Sequence, residues 1–201
     1  MLKVGLTGGL ATGKSFVGSA LRDLGCYLIK ADDLGREALE PDGEGYPAVV
    51  REFGTGILDA SGKIDRRRLA TEVFADADRL ARLNSIVHPV VIRREEELAA
   101  AIASRDPNAI VVVEAAILIE TGGYKRFDKL ILTVCDEQQQ VERAMKRDGL
   151  PAEEILARIR QQMPLSEKRR FADYVIDTSG TKEDTLRQTK EVFALLRSTQ
   201  R

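Results

Sequence analysis

The feature that most restricts this chain lies at its start. A short apolar run, residues 2–7, empties directly into Gly8-Gly9-Leu10-Ala11-Thr12-Gly13-Lys14-Ser15, a complete G-x-x-x-x-G-K-S, and an amphipathic stretch follows. A strand that turns into a helix through such a loop curls successive backbone N–H groups inward at a helix N-terminus, and this makes an anion nest. Gly8, Gly9 and Gly13 permit the curl, and Leu10, Ala11 and Thr12 carry the backbone between them. Lys14 supplies a point charge for β- and γ-phosphates, and the Ser15 hydroxyl can ligate Mg²⁺. A Gly-rich turn without a ligand is the plain alternative, but the eight matching positions and their strand and helix flanks speak for a nucleoside triphosphate. Phe16, next after the loop, belongs to the same expected surface.

Five β-rich runs stand out, at 2–7, 27–30, 110–114, 130–135 and 174–177. Most are nearly continuous Val, Ile and Leu, as in parallel strands buried on both faces. Helical patterns at 15–24, 90–103, 138–147 and 182–197 separate them, which predicts an α/β fold with a five-stranded parallel sheet and right-handed crossovers. Two intervals exceed a minimal βαβ repeat. The residues between the second and third strands read as an inserted helical subdomain. The charged interval 136–170, with helix boundaries at Pro151 and Pro164, reads as an excursion near the top of the sheet.

Composition narrows the partners. The 201 residues carry 31 Lys and Arg against 32 Asp and Glu, a formal charge of −1, which gives no general electrostatic reason to bind nucleic acid or an anionic membrane. No apolar run nears the roughly 20 residues of a membrane span, and no signal-peptide pattern opens the sequence, so a cytoplasmic location is expected. Cys26 and Cys135 are too few and too far apart for a disulfide framework or a Cys-rich zinc site.

The phosphate loop does not say what is done with the nucleotide. The guanine-reading N-K-x-D is absent, and so is a motor-type strand ending in Asp-Glu; the nearest equivalent is Val111-Val112-Val113-Glu114. The size and the two helical excursions favour a small-molecule kinase whose lobes close and exclude water. The second strand ends in Leu28-Ile29-Lys30-Ala31-Asp32-Asp33. Ligands of open α/β sheets lie beyond the carboxyl ends of strands, so a carboxylate there can accept the proton of an attacking hydroxyl. Asp32 is read as that base and Asp33 as the cap of a helix starting near Leu34.

With these residues in view, the sequence resembles the dephospho-CoA kinase family over nearly its whole length. Gly5-Leu6-Thr7-Gly8-Gly9-Leu10-Ala11-Thr12-Gly13-Lys14-Ser15 is similar to the family's G-L-T-G-G-I-G-S-G-K-S. Asp32 falls on the last position of its D-A-D, and 83–89 on its L-N-x-x-x-H-P. Residues 116–120 sit where it has P-L-L-F-E, 140–147 match its Q-x-x-R-x-x-x-R-D lid helix, and 172–180 resemble its A-D-x-V-I-D-N-x-G close. Lys30, Ala116 and Thr178 depart from the family's Asp, Pro and Asn, and Phe16 stands where Thr often follows the loop.

The resemblance implies a P-loop fold divided into a nucleotide core at 1–33, 104–135 and 171–201, an acceptor-binding helical insertion at 34–103, and a lid at 136–170. It implies ATP and Mg²⁺ as co-substrate and metal, with Ser15 on the metal, and transfer to the ribose 3′-hydroxyl of dephospho-CoA. Asp32 would take the hydroxyl proton, Thr7 would help place the reacting groups, and Thr178-Ser179-Gly180 would border the adenine. Arg143 and Arg147, one turn apart on a helix, either close on the phosphoryl group or form a solvated face paired with Glu142 and Asp148. Among Arg66, Arg67 and Arg68 at least one is expected on the acceptor, with Arg66 the first candidate, although charge runs usually face solvent. His88, the single histidine, precedes Pro89, which predicts extended backbone there and a structural or acceptor-lining role. Glu114 and Glu120 are each placed to orient Mg²⁺-bound water or to touch the acceptor. A monomer or weak homo-oligomer is expected. A nucleoside or nucleoside-monophosphate kinase on the same architecture is the main rival, and a nucleotide-dependent switch, lacking N-K-x-D, the more distant one.

Overall fold

The structure, a computed structural model, describes residues 1–74 and 76–199. Two compact units divide the chain, one formed by 1–29 with 101–201 and the other by 30–100. The sequence boundaries for the insertion were 34 and 103, and the segment expected as a lid, 136–170, falls within the first unit.

The first unit is built on strands β1 (Leu2–Gly8), β2 (Tyr27–Lys30), β3 (Ile110–Glu114), β4 (Lys129–Val134) and β5 (Tyr174–Asp177). They form one parallel sheet in the order β2-β3-β1-β4-β5, with Leu6 opposite Glu114 on one side of β1 and Gly8 opposite Thr133 on the other. All five runs read from the sequence are strands, with ends shifted by a residue at most. Alternate side chains Leu2, Val4, Leu6, Ile110, Val112, Ile131 and Ile176 pack under helices α1 (Lys14–Asp23) and α9 (Lys182–Thr199), through Val17, Leu21, Val192 and Leu196. The opposite-facing Val111, Val113, Leu130 and Leu132 are buried too. Burial on both faces is why these strands are continuously apolar and legible without alternation.

From β1 the chain crosses toward β2, whereas from its neighbour β4 it crosses toward β5. That divergence opens a crevice at the carboxyl ends of β1 and β4, and the loop 8–15 sits at this switch point. Helices α6 (Glu137–Asp148), α7 (Ala152–Arg160) and the short α8 (Leu165–Lys168) lie between β4 and β5. Pro151 and Pro164 are the N-cap residues of α7 and α8.

The second unit contains α2 (Ala31–Ala38), α3 (Tyr46–Phe53), α4 (Arg66–Phe74) and most of α5 (Ala77–Arg105). Its own core is Val49, Ile57, Ile64, Leu69 and Val73, with Leu80, Leu83, Ile86 and Val87 of α5 packed against it.

Two local expectations are overturned. α2 begins at Ala31, with Lys30 as its N-cap, so Asp33 does not cap it; Asp33 lies in the first turn and pairs with Arg36 at 3.1 Å. The helix starts where β2 ends, and both acids gain from the helix dipole instead. Pro89 does not hold His88 extended, because α5 runs through it. An internal Pro costs about 3 kcal/mol, but apolar side chains anchor α5 on both sides of it, with Val91 buried beyond. Full burial of an aliphatic side chain contributes about 1.5–3 kcal/mol, and four half-buried ones together with buried Val91 outweigh one proline.

Candidate active site

The loop is held by packing that its small residues make possible. A Cβ on Gly8 would lie 2.3 Å from Thr133 Oγ1 and 2.7 Å from Thr133 O, so only glycine lets β1 pass this close to β4. Gly13 has φ 82° and caps α1, the left-handed geometry that turns the loop into the helix. Ala11 is also left-handed, at φ 54°, with a side chain that resists it. Thr12 Oγ1 lies 2.8 Å from Thr133 Oγ1 and bonds Gly9 O at 3.0 Å, so the loop's middle is tied to β4. The first turn of α1 opens on the loop, presenting N–H groups that a helix leaves without intrahelical acceptors. Lys14 Nζ donates to Gly9 O at 2.8 Å, which places the ammonium inside the curl.

Ser15 Oγ donates to Glu114 Oε1 at 2.6 Å. The other oxygen, Glu114 Oε2, is buried with no hydrogen-bond partner among the described residues. A buried carboxylate oxygen without a donor is costly unless something positive meets it. A serine hydroxyl and a carboxylate are the oxygen donors Mg²⁺ prefers, with the remainder from phosphates and water. No cluster of three acidic, His or Cys side chains forms a metal cage among the described residues. The site thus fits a cation brought in with a polyphosphate, and Glu114, which the sequence left without a fixed role, belongs to it.

Thr178, at the end of β5, joins three elements. Its hydroxyl donates to Thr12 O at 3.0 Å and accepts from Arg143 Nη1 at 3.0 Å, and Arg143 Nη2 donates to Thr178 O at 2.6 Å. Arg143 is therefore brought to the loop's flank. Arg147 is exposed and pairs with Asp148 at 2.7 Å, the surface alternative read from the sequence. Gly180 lies beside Asp184, and Phe16 is half-buried on α1. Thr7 is fully buried, with its hydroxyl donating to Ala116 O at 3.2 Å, so it sets the chain leaving β3.

Residues that sequence reading missed sit on the other flank. Gln140 Nε2 donates to Leu10 O at 2.7 Å, and Leu10 N donates to Gln162 Oε1 at 2.9 Å. Lys168, fully buried, lies 2.6 Å from Glu120 Oε1 and ties α8 to the segment after β3. Gln140 is visible in the sequence only as a letter of the lid motif, and Gln162 and Lys168 carry no local signal.

In the second unit, Asp32 is exposed in the first turn of α2, with no hydrogen bond or ion pair among the described residues. Arg66 is exposed and lies 3.6 Å from Glu40, Arg68 pairs with Asp65 at 3.5 Å, and Arg67 is exposed. Burial lowers the pKa of half-buried His88 from the ordinary 6.5.

Comparison with known proteins supplies the chemistry that geometry leaves open. The dephospho-CoA kinase family model matches residues 2–184. A dephospho-CoA kinase of Aquifex aeolicus is 39% identical over 193 residues, covering 96% of each chain. A crystal structure from Thermus thermophilus superposes with a TM-score of 0.82 at 36% identity, covering 96% of this chain and 97% of that one. The dephospho-CoA kinase of Campylobacter jejuni superposes at 0.70 with 25% identity, covering 98% of both. Among the described residues, no helix is long and apolar enough to cross a membrane.

Proposed function

The chain belongs to the dephospho-CoA kinase family, which phosphorylates dephospho-CoA with ATP in the last step of CoA biosynthesis, and on that premise we propose how its own residues divide the work. The observation that carries the reading is the loop 8–15 with Lys14 inside its curl and the Ser15–Glu114 pair at its end.

Gly8, Gly9, Leu10, Ala11, Thr12 and Gly13 shape the anion nest, and the first turn of α1 with Lys14 takes the β- and γ-phosphates. Ser15 and Glu114 would hold Mg²⁺, which supplies charge neutralisation between the phosphates. Thr178 and Gly180 border the adenine, with Phe16 and Arg147 on the nucleotide's periphery. Asp32 accepts the proton of the acceptor's ribose 3′-hydroxyl as its oxygen attacks the γ-phosphorus. The bond to the β,γ-bridging oxygen breaks, and ADP leaves with that oxygen. Arg143 carries positive charge toward the transferring group, and Thr7 steadies the exit of β3. Arg66 and His88 bind the acceptor, with Arg67 and Arg68 as the neighbouring candidates. Because phosphoryl transfer needs little covalent help, placement and charge account for most of the rate. The 34–103 insertion serves the acceptor and the 136–170 segment serves as lid, in a cytoplasmic enzyme that is a monomer or weak homo-oligomer and needs no nucleic acid or membrane partner.

The test is ADP release with Mg·ATP and dephospho-CoA, with AMP, CMP or no acceptor as comparisons, for the wild type and Asp32→Asn. Acceptor-dependent turnover that falls by about 10²- to 10⁴-fold in Asp32→Asn supports the base assignment. Turnover surviving in Asp32→Asn removes Asp32 from that role and turns attention to Asp33 or water. Turnover only with AMP or CMP would favour the nucleoside-monophosphate kinase.

A further inference from the structure

Leu10 lies in the turn of the phosphate loop, outside any helix or strand. Both of its backbone groups are nevertheless occupied, and by side chains from one distant segment. Its carbonyl accepts from Gln140 Nε2 at 2.7 Å, and its N–H donates to Gln162 Oε1 at 2.9 Å. The two amides grip one peptide residue from both sides, as strands flanking a central strand would. A two-point grip fixes orientation as well as distance, which a single hydrogen bond does not.

Gln140 is buried on α6, and a Cβ on Gly9 would come within 2.7 Å of its Nε2. Gln162 follows α7, and Leu165 of α8 also reaches Gly9, at 3.3 Å from that same Cβ position. The contact therefore involves three residues spread over the segment, Gln140, Gln162 and Leu165, rather than one side chain. Arg143 lies three residues beyond Gln140 on α6, one turn along the same face. It meets the loop's opposite flank through Thr178, which holds Thr12 O. α6 thus touches the loop at Leu10 through Gln140 and, through Arg143 and Thr178, at Thr12.

We propose that Gln140 and Gln162 are positioning residues for phosphoryl transfer, whose joint grip on Leu10 sets where Arg143 stands relative to the nucleotide in the loop. The inference rests on the reading of Arg143 as the arginine that serves the transferring phosphoryl group. The amides touch no reacting atom. They convert the loop's position into the arginine's position, and an error of about 1 Å in such placement costs about 10²-fold in rate.

The experiment is a double-mutant cycle on the full-length enzyme, with Gln162→Leu, Gln140→Met and Arg143→Ala made singly and in pairs. For each, kcat is measured by dephospho-CoA-dependent ADP release, affinity by calorimetric titration with the β,γ-imido analogue of ATP, and folding by thermal melting. Gln162→Leu, at a partly exposed position, keeps the test open if the buried Gln140→Met does not fold. The expected result is a fall in kcat of about 10- to 100-fold with analogue affinity changed by less than about threefold, and no further loss when Gln162→Leu is added to Arg143→Ala. Three results would overturn the proposal: an unchanged kcat in Gln162→Leu, a loss of analogue affinity as large as the loss of kcat, or independent losses that multiply in the double variant while Arg143→Ala alone is slow. If instead Arg143→Ala turns over normally, the reading of Arg143 itself fails, and the inference falls with it by a distinct route.

Discussion

Ser15 Oγ and Glu114 Oε1 are joined by a 2.6 Å hydrogen bond across the mouth of the phosphate loop, while Glu114 Oε2 is buried with no partner among the described residues. The serine lies in the first turn of α1 and the glutamate ends β3, a strand that pairs directly with β1. The sheet register that sets Glu114 opposite Leu6 therefore delivers the carboxylate to the loop.

Replacing Glu114 by Gln keeps the acceptor for Ser15 but removes the charge. Glu114→Gln is expected to lower kcat by about 10- to 100-fold, as loss of a group that tunes a metal site does, and to raise the Mg²⁺ concentration needed for half-maximal rate. A Mg²⁺ titration of ADP release checks this. An unchanged Mg²⁺ requirement would remove Glu114 from the metal's surroundings.

Ala11 bears a Cβ at φ 54°, where glycine carries no steric penalty. Ala11→Gly is expected to stabilise the fold by about 1 kcal/mol, less the backbone entropy that glycine adds to the unfolded chain. For a chain of this size that is a rise in melting temperature of about 2–4 °C at most. A lower melting temperature in Ala11→Gly would mean that the methyl group contributes packing that exceeds its strain.

Lys168 is fully buried, with its ammonium 2.6 Å from Glu120. Solvent reaches Glu120 but not Lys168, so removing the glutamate strands a buried ammonium, and Glu120→Ala is expected to cost about 3–5 kcal/mol in urea unfolding. The double variant Lys168→Met with Glu120→Leu removes both charges and is expected to recover most of that loss. Equal losses in Glu120→Ala and in the double variant would show that a stranded ammonium is not the source of the loss.

Burial lowers the pKa of His88 from the ordinary 6.5. Its neutral form is the folded one, so the unfolded chain binds the proton first. Its stabilisation is full above about pH 6.5 and is lost as pH falls from there through the lowered folded value. The melting temperature of the wild type is expected to drop more between pH 7 and pH 5 than that of His88→Gln. Parallel curves for the two proteins would exclude this contribution.

Much of the site was legible because its signals are local. The G-x-x-x-x-G-K-S between an apolar run and an amphipathic stretch fixed the loop, and the near-continuous Val and Ile runs fixed all five strands, since strands covered on both faces need no alternation. The places where reading failed have non-local causes. Asp33 looked like a cap because acids favour that position, but the end of β2 at Lys30 set the start of α2. Pro89 looked like a break, but the apolar contacts of α5 with the second unit's core carried the helix through it.

The sequence by itself determined the anion nest, the strand set and the family, because backbone curl, strand burial and motif spacing are written in neighbouring residues. Tertiary structure alone decided which distant side chains reach the loop. Gln162 stands 152 positions from Leu10 and Thr178 stands 166 from Thr12, yet each is within hydrogen-bond distance. The order β2-β3-β1-β4-β5 puts β1 beside β3 and β4. Because the strands are parallel, the chain leaves all of them at the same carboxyl end of the sheet, where contact depends on strand order and not on separation along the chain.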